Sequence, residues 1–436
     1  MSELTLTQSL QYNIEKLDLI TSFGEISLVE IFEELNVFDS ILMPCMSGNI
    51  LIRDSLGLSD KLSFDGSEVI VIHITKYNDS DYGKFTKKFR IYKQSDRSIV
   101  NPTSEMYILH FVSEEFIFSE QQKISQYYKD NYHNIVKSIL LNYLKVPELT
   151  KDYYVTPIYK IENSKGIHEV IIPSLTPFNA IKWLTKRSVN NDDLPNFFFF
   201  ENVYGYNFKS LTKMLQESVV ATFNYDPKNI DIKSIGNEFF GIRDLKILNT
   251  YDLIDTTKKG VYASKFIGFD PLTRKSTVNR SNFNIITKDK VNSKPNLSAY
   301  KNRNGVDGSS MFDSARVFYP FQTSRQTESY IKENDSNTSS IIDDTHIYMF
   351  QRRSIIANLM QSRIQFSVPG DFNYSCGSTV NLNIPKRSVP ANGNKDSDLS
   401  DKALSGKYLI ASARHIFRYR THETIMEVVT NSTNRE

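Results

Sequence analysis

One short β pattern occurs twice in this chain, near its two ends, and the duplication constrains the fold more than any other feature. The first copy reads Gly66-Ser67-Glu68-Val69 and the second Gly377-Ser378-Thr379-Val380, so each has a turn glycine followed by a strand. Two further strands are predicted after each copy, at 89–92 and 106–111 and at 408–410 and 424–429. A chain with two equivalent β domains supplies two positions in a ring, and three such chains supply six.

The alternative is that the two regions are unrelated hairpins. Short strand and turn signals recur in all β-rich chains, and the shared Gly-Ser-x-Val pattern is only four residues long. The pattern alone leaves both interpretations open.

The composition is that of a globular protein. The 436 residues are enough for two to four domains, and 40% hydrophobic with 23% charged residues excludes a disordered chain. The net charge is only +2, which argues against tight, sequence-independent DNA binding. It does not exclude a surface that DNA merely passes.

Cysteine usage and hydropathy give two further expectations. Cys45 and Cys376 lie on apolar segments, which predicts buried free thiols and synthesis in a reducing compartment. The N-terminus lacks the pattern of a signal peptide, and no run of about 18 apolar residues occurs, so we expect no membrane insertion.

The order of patterns predicts a β-rich α+β chain. We expect a first β domain at 1–125, an α+β domain at 126–240, a second β domain at 241–286 and 341–436, and an irregular insertion at 287–340. Within them, 25–35 is interpreted as one long edge strand and 127–144 as a helix. A second helix is predicted to start at Thr176-Pro177, and another from about Asp343. The segment 388–400 is predicted to be an exposed loop.

Motifs for catalysis or cofactor binding are missing from the sequence. No Walker loop, G-x-G-x-x-G, H-E-x-x-H or C-x-x-C occurs, so no catalytic, cofactor or metal residue is assigned and no cofactor is expected. His73 and His110 alternate with apolar residues and are interpreted as packed or rim-facing imidazoles rather than metal ligands. His168-Glu169 is interpreted as strand surface rather than half of an acid–base pair. The sequence therefore predicts a protein that is not an enzyme.

Three other segments have a structural and a functional interpretation. Phe197-Phe198-Phe199-Phe200 is predicted to be a core strand, because Glu201-Asn202 rather than lysines or arginines follow it. Residues 414–422 contain Arg414, His415, Arg418, Arg420 and His422, and form either a solvated strand edge or a docking or channel-facing surface. Arg352-Arg353 is either ordinary surface charge or a contact with a neighbouring subunit.

Three stretches, taken in order, resemble the baseplate hub protein of contractile-tailed, T4-like bacteriophages. The first runs from Ile31-Phe32-Glu33-Glu34-Leu35 through Gly48-Asn49-Ile50-Leu51-Ile52-Arg53-Asp54-Ser55 to Phe64-Asp65-Gly66-Ser67-Glu68. The second runs from Ser174-Leu175-Thr176-Pro177-Phe178 to Tyr206-Asn207-Phe208-Lys209-Ser210-Leu211. The third runs from Pro369-Gly370 through Gly377-Ser378-Thr379-Val380 and Ser405-Gly406-Lys407-Tyr408-Leu409-Ile410 to His415. The segments 287–340 and 388–400 have no clear counterpart.

The resemblance implies a homotrimer with two tube-type, barrel-like β domains per chain, arranged as a pseudo-sixfold ring. Such a ring joins the sixfold tail tube to the threefold central spike and surrounds the channel through which DNA leaves. The implied partners are further copies of the chain, the central spike protein, the tail tube protein, baseplate wedge proteins and passing DNA that is not specifically bound. The implied location is the tail baseplate of a virion assembled in the bacterial cytoplasm.

Three other functions remain open. The spike-loading hub of a bacterial secretion system would form the same kind of ring from duplicated domains. A receptor- or glycan-binding tail module would need exposed aromatic platforms, and a tail-associated cell-wall hydrolase would need paired carboxylates or a metal triad.

Overall fold

The computed structural model describes residues 12–62, 64–76, 84–148, 154–225, 241–250, 252–258, 261, 263–270, 275–282, 292, 294–295, 316–318, 345–386, 400–419 and 421–434. A 13-stranded sheet containing strands from both ends of the chain dominates the fold, as expected for a β-rich protein. Nearly all of the predicted insertion at 287–340, and all of the predicted loop at 388–400 except Ser400, lie outside the described residues.

Six strands from the N-terminal part of the chain form what we call the first strand set. They are β1 (Tyr12–Thr21), β3 (Phe32–Ser40), β4 (Ser47–Asp54), β5 (Val69–Lys76), β6 (Phe85–Asn101) and β7 (Ser104–Ser113). Their order in the sheet is β3-β4-β7-β6-β5-β1, and all neighbours are antiparallel. The short β2 (Gly24–Ser27) pairs with β1, and α1 (Leu58–Lys61) lies between β4 and β5.

Six later strands form the second strand set. They are β13 (Val219–Asn224), β14 (Arg243–Asn249), β19 (Ser362–Pro369), β20 (Thr379–Asn383), β21 (Gly406–Arg418) and β22 (Thr421–Thr430). Their order is β14-β19-β22-β21-β20-β13, which matches the first set strand for strand in chain order. One difference is that β13 is parallel to β20, whereas β1 is antiparallel to β5. The duplication is thus confirmed at the level of strand order.

The long strands β6 and β21 share an irregularity as well as a position. Pairing with β7 shifts register between Ile91 and Lys93, and pairing with β22 shifts between Ile410 and Ser412. Each shift leaves one extra residue on the long strand, which is a β-bulge and bends the strand. Two unrelated hairpins would not be expected to share a bulge at the same place.

The register also corrects the sequence alignment of the two copies by one residue. Val69 pairs with Arg90, and the equivalent pair in the second set is Thr379 with Leu409 rather than Val380. Gly66 and Gly377 both have positive φ, of 89° and 82°, as turn glycines do. The shared letters therefore mark the same turn, but the first copy has one more residue between glycine and strand.

An α+β segment lies between the strand sets along the chain. Its elements are α2 (Glu114–Glu120), β8 (Tyr127–Asp130), α3 (Tyr132–Asn142), β9 (Ile158–Ile161), β10 (His168–Ile171), α4 (Pro177–Thr185), β11 (Phe197–Asn202), β12 (Gly205–Ser210) and α5 (Leu211–Gln216). The helix predicted at Thr176-Pro177 is confirmed, with Thr176 at the N-cap and Pro177 in the first turn. The helix predicted at 127–144 is correct only from Tyr132, because 127–130 pairs with β10 as a strand.

The single edge strand predicted at 25–35 is wrong. The chain forms β2, turns at 28–31, and continues as β3. Leu28 is fully buried, and its carbonyl accepts hydrogen bonds from the amides of Ile31 and Phe32 at 3.1 and 3.0 Å. Burial of the leucine at a turn, rather than the local periodicity, decides the structure here.

The phenylalanine run is a strand buried on both faces. Phe197 and Phe199 belong to the core of the α+β segment, with α3 and α4. Phe198 and Phe200 point the other way, into a cluster that contains Leu409 and Val429 of the second strand set. The prediction of a core strand is confirmed, and β11 attaches the α+β segment to the second strand set.

The remaining elements are α6 (Leu253–Lys258), β15 (Ala263–Asp270), β16 (Lys275–Asn282), β17 (Lys294–Pro295), β18 (Arg316–Phe318), α7 (Thr345–Leu359) and β23 (Ser432–Thr433). Strand β15 pairs with β16 and β18 in a small separate sheet, and β17 pairs with β23. The helix predicted from about Asp343 is confirmed as α7, which leads into β19.

Candidate assembly interface

The histidines singled out from the sequence are dispersed over the fold. On β5, His73 lies 3.6 Å from the carboxylate of Glu15. On β7, His110 shares a 2.8 Å hydrogen bond with Ser95, and burial lowers the pKa of its imidazole. Within the described ranges, no group of three or more His, Cys, Asp or Glu side chains could hold a metal ion.

His168 and Glu169 point in opposite directions from β10. The His168 ring is buried and stacks on Tyr132 with 4.0 Å between ring centroids. Glu169 forms a 2.7 Å ion pair with Lys129, and the lysine hydrogen bond lowers the pKa of its carboxyl. The two side chains do not act as a pair. The interpretation as strand surface is correct for Glu169 and wrong for His168, whose ring is buried.

Residues 412–418 are not an open strand edge. They pair with β22 on one side and with β3 of the first strand set on the other, from Ser412 opposite Ser40 to Arg418 opposite Glu34. We call this β3–β21 contact the internal junction. The interpretation of this part as a solvated edge is therefore wrong, because it docks against the chain's own first strand set. Arg420 lies outside the described residues.

Arginines on β21 fix the outer face of the internal junction to β3. Glu34 accepts hydrogen bonds from Arg418 Nε at 2.6 Å and from a guanidinium nitrogen of Arg414 at 3.2 Å. Arg414 Nε also donates to Asn36 at 2.9 Å. Burial would raise the pKa of Glu34, but hydrogen bonds from Asn36 and Arg418 and the arginine charges lower it. These charge-assisted bonds set the register between the two strand sets.

Asp39 anchors the other end of the internal junction. It is buried, and its carboxylate accepts hydrogen bonds from the amides of Cys376 at 3.0 Å and Ala413 at 3.1 Å, and from the Ser375 hydroxyl. Burial raises the pKa of this carboxyl to about 6, against the opposing effect of those donors. One acid thus ties β3 to two separate parts of the second strand set.

The inner face of the internal junction is an aromatic cluster. His415 is fully buried, and its Nδ1 lies 3.2 Å from His422 Nε2 and 3.1 Å from the Thr424 hydroxyl. Burial lowers the pKa of His415 to about 3. Phe417 stacks on the His422 ring and belongs to the core of the first strand set although it lies on β21.

A buried ion pair connects the α+β segment to the first strand set. Glu201, at the end of the phenylalanine strand, pairs with Lys87 on β6. Its other oxygen accepts from the Met46 amide at 2.7 Å and the Ser113 hydroxyl at 2.6 Å. Burial lowers the pKa of Lys87 to about 8. Lys87 was not identified from the sequence, although it alternates with Phe85 and Phe89 on the inward face of β6.

Arg352 is a structural residue within its own chain. It donates to the Pro195 carbonyl at 3.2 Å, and its guanidinium lies 5.5 Å from the centroid of the Phe198 ring. Burial lowers its pKa to about 10. The default interpretation as surface charge is therefore wrong for Arg352, while Arg353 is exposed.

Among the strand edges without a partner in the described part of the main sheet, two occupy equivalent places in the two strand sets. Strand β14 pairs with β19 on one side only. Strand β6 pairs with β5 only as far as Arg90, so residues 93–101 pair with β7 alone. Both edges expose large apolar side chains, namely Ile99 and Val100 on β6 and Ile247 and Leu248 on β14. Such edges are templates for pairing with another chain.

No protein-family model and no curated protein matches the chain. Among solved structures, the tail protein from Neisseria meningitidis MC58 matches with a TM-score of 0.51 and 10% identity over 97% of each chain. The chain shares the fold of this tail protein. A 43 kDa tail protein of prophage MuSo2 from Shewanella oneidensis matches with a TM-score of 0.48 and 7% identity, over 95% of this chain and 98% of that one. The E. coli c3393 protein, a type VI secretion component, has a TM-score of 0.41 and 8% identity, over 97% and 77%.

The match to the Neisseria protein extends over nearly the whole of both chains, so the similarity belongs to the complete architecture and not to one sheet. It confirms, for the fold alone, the resemblance to a tail protein inferred from the sequence. Among the described residues, no helix is long and apolar enough to cross a membrane. Cys45 and Cys376 are buried free thiols, as predicted.

Proposed function

We propose that this chain is a structural virion protein, the hub of a contractile-tail baseplate. Three copies form a pseudo-sixfold ring that joins the hexameric tail tube to the trimeric central spike. The ring surrounds the channel through which DNA leaves the particle, and the chain has no catalytic role.

The observation that carries this proposal is the shared strand order of the two strand sets. A threefold object cannot present equivalent contacts to a sixfold tube unless each chain presents the same surface twice. A chain with two copies of one strand arrangement meets that requirement. The tail-protein fold supports the same assignment.

The proposed domains keep the boundaries expected from the sequence. Residues 1–125 form the first tube-type β domain, and 241–286 with 341–436 form the second. The α+β domain at 126–240 lies outside the ring, where spike or wedge proteins contact it, although its last strand β13 pairs with β20 of the second strand set.

The near-neutral charge of +2 suits a channel wall. Lysines and arginines that neutralise phosphates bind DNA tightly at low salt, and a strongly basic wall would retain the DNA. A hub should let the polymer pass without binding it.

Reconstitution with the phage's own spike and tube proteins tests the proposal. Mass photometry of the mixture should show three copies of this chain bound to one spike trimer, because only a trimer matches the symmetry of both neighbours. Only monomers or dimers at high concentration with spike present would refute the hub assignment. Clearing of bacterial cell walls by the pure protein, or saturable binding on a glycan array, would instead favour a hydrolase or a receptor-binding module.

A further inference from the structure

The internal junction provides a template for a contact between chains. In it, the outer edge of β3 from the first strand set pairs antiparallel with residues 412–418 of β21 from the second set. By strand order, the equivalent of β3 in the second set is β14, and the equivalent of β21 in the first set is β6. The reciprocal contact, β14 with β6, is not made within one chain.

Both surfaces for that reciprocal contact are open among the described strands. The edge of β14 that corresponds to the docking edge of β3 faces no strand in the part of the chain that the structure describes. Residues 93–101 of β6 follow the shared bulge, as residues 412–418 follow it in β21, and their edge is unpaired as well. The bulge bends each long strand away from its first partner and frees the second half for another strand.

We propose that β14 of one chain pairs antiparallel with residues 93–101 of β6 in a second copy of this chain. The contact repeats between chains the internal junction that β3 and β21 make within one chain. It rests on the proposed ring for the number of chains, since a head-to-tail contact of this kind closes into a ring or grows into a filament.

Strand β6 has further register shifts at Ser95/Ser98 and Ile99/Asn101, and β14 at Arg243/Lys246 and Ile247/Asn249. The residues that meet are therefore assigned from their printed partners on β7 and β19. Lys246 pairs with Gln365 of β19, as Asn36 pairs with Asn49 of β4, so Lys246 occupies the position of Asn36. Ser98 pairs with Met106 of β7, as Ile416 pairs with Glu423 of β22. The neighbouring strands are paired in the same register in both sets. Asn49 of β4 pairs with His110 of β7, and Gln365 of β19 pairs with Glu427 of β22.

Asn36 and Ile416 lie opposite each other in the internal junction. Lys246 of one chain should therefore lie opposite Ser98 of the next. One step along, Ile99 occupies the position of Phe417.

Burial at equivalent positions supports the contact. Phe417 is fully buried because the first strand set covers it, whereas Ile99, at the same position, is 77% exposed. Val37 is fully buried, whereas its equivalent Ile247 is 40% exposed. The positions are apolar in both sets but covered in only one, as expected if a second copy covers the other.

A disulfide between Lys246→Cys and Ser98→Cys tests the register directly. Both side chains are exposed on open strand edges, and opposite residues of antiparallel strands lie within the Cα separation that a disulfide spans. The native cysteines are buried and do not compete. The matched control is Ile247→Cys with Ser98→Cys, which moves one cysteine to the opposite face of its strand.

The two single variants, mixed after separate purification, should form a covalent dimer on mild oxidation, while neither alone should. The double variant should form closed, covalently linked rings, at least about tenfold more than the control pair. Melting temperatures equal to wild type would show that each variant folds.

Two outcomes would overturn the β14–β6 contact and leave the hub proposal standing. One is equal cross-linking of the matched and control pairs, and the other is no cross-linking in a sample that mass photometry shows to be trimeric. A strictly monomeric sample with spike protein present would refute both.

Discussion

Lys87 on β6 and Glu201 on β11 form an ion pair that is almost completely buried between the first strand set and the α+β segment. Because water does not reach these side chains, each charge is stabilised mainly by the other. The carboxylate also accepts hydrogen bonds from the Met46 amide and the Ser113 hydroxyl. The first strand set and the α+β segment therefore each supply the counter-charge for a buried ionised group of the other.

Replacing Glu201 with Gln should lower the free energy of unfolding by about 3–5 kcal/mol, because it leaves the Lys87 ammonium buried without its counter-charge. Adding Lys87→Met should restore more than half of the loss, since the amide introduced by Glu201→Gln keeps an acceptor oxygen for Met46 and Ser113. Urea denaturation of wild type, both single variants and the double variant measures this coupling. Strictly additive effects would show that the two charges do not interact.

Replacing Val380 with Asp should unfold the second strand set, at a cost of about 4 kcal/mol or more, by burying an unpaired charge in its core. Ile384→Asp should act in the same way. Asn383→Asp, on the exposed face of the same strand, is the control and should cost less than about 1 kcal/mol. Thermal melting distinguishes the cases, and an unchanged melting curve for Val380→Asp would mean that β20 is not core.

The buried His415 should make the protein sensitive to acid. Its folded-state pKa of about 3 lies below the ordinary value of 6.5, so the unfolded chain binds a proton first as the pH falls. Its contribution to stability is complete above pH 6.5 and should decline as the pH falls toward 3, by about 2–3 kcal/mol at pH 4.5.

His415→Asn should remove that part of the pH dependence, measured as unfolding free energy between pH 7 and pH 4.5. The same substitution at the more exposed His73 controls for the loss of an imidazole in general. Parallel pH profiles for wild type and His415→Asn would contradict the assignment to His415.

Replacing Ile99 with Lys should leave the melting temperature of the single chain unchanged and weaken assembly by at least about tenfold, because a charge replaces an apolar contact between chains. Ile171→Lys is a matched control, since Ile171 is similarly exposed but lies on β10 of the α+β segment. Mass photometry over a dilution series gives the association constant of each variant. Equal values for the two variants would exclude Ile99 from the interface.

Local signals in the sequence predicted local structure well. Thr176-Pro177 marked the start of α4, the phenylalanine run marked a buried strand, and the repeated glycine turns at Gly66 and Gly377 marked the duplication. These features depend on backbone preferences within a few residues, which composition and spacing reveal.

Long-range pairing could not be predicted in the same way. The segment 25–35 has the periodicity of one element, but burial of Leu28 divides it. The basic stretch around Arg414 is typical of an exposed edge, yet Glu34, some 380 residues earlier in the chain, neutralises it. Asp39 and Lys87 are polar residues within apolar strands, and only the fold brings their partners to them.

The central claim is that the two strand sets of each chain occupy equivalent positions in one ring. Electron-microscopic class averages of the assembled protein, combined with its mass, test this most directly. We predict a closed ring with a central hole, six similar lobes and a mass of about three times the chain's 50.3 kDa. A closed assembly with three lobes, or one in which the two strand sets lie at different radii from the axis, would contradict it.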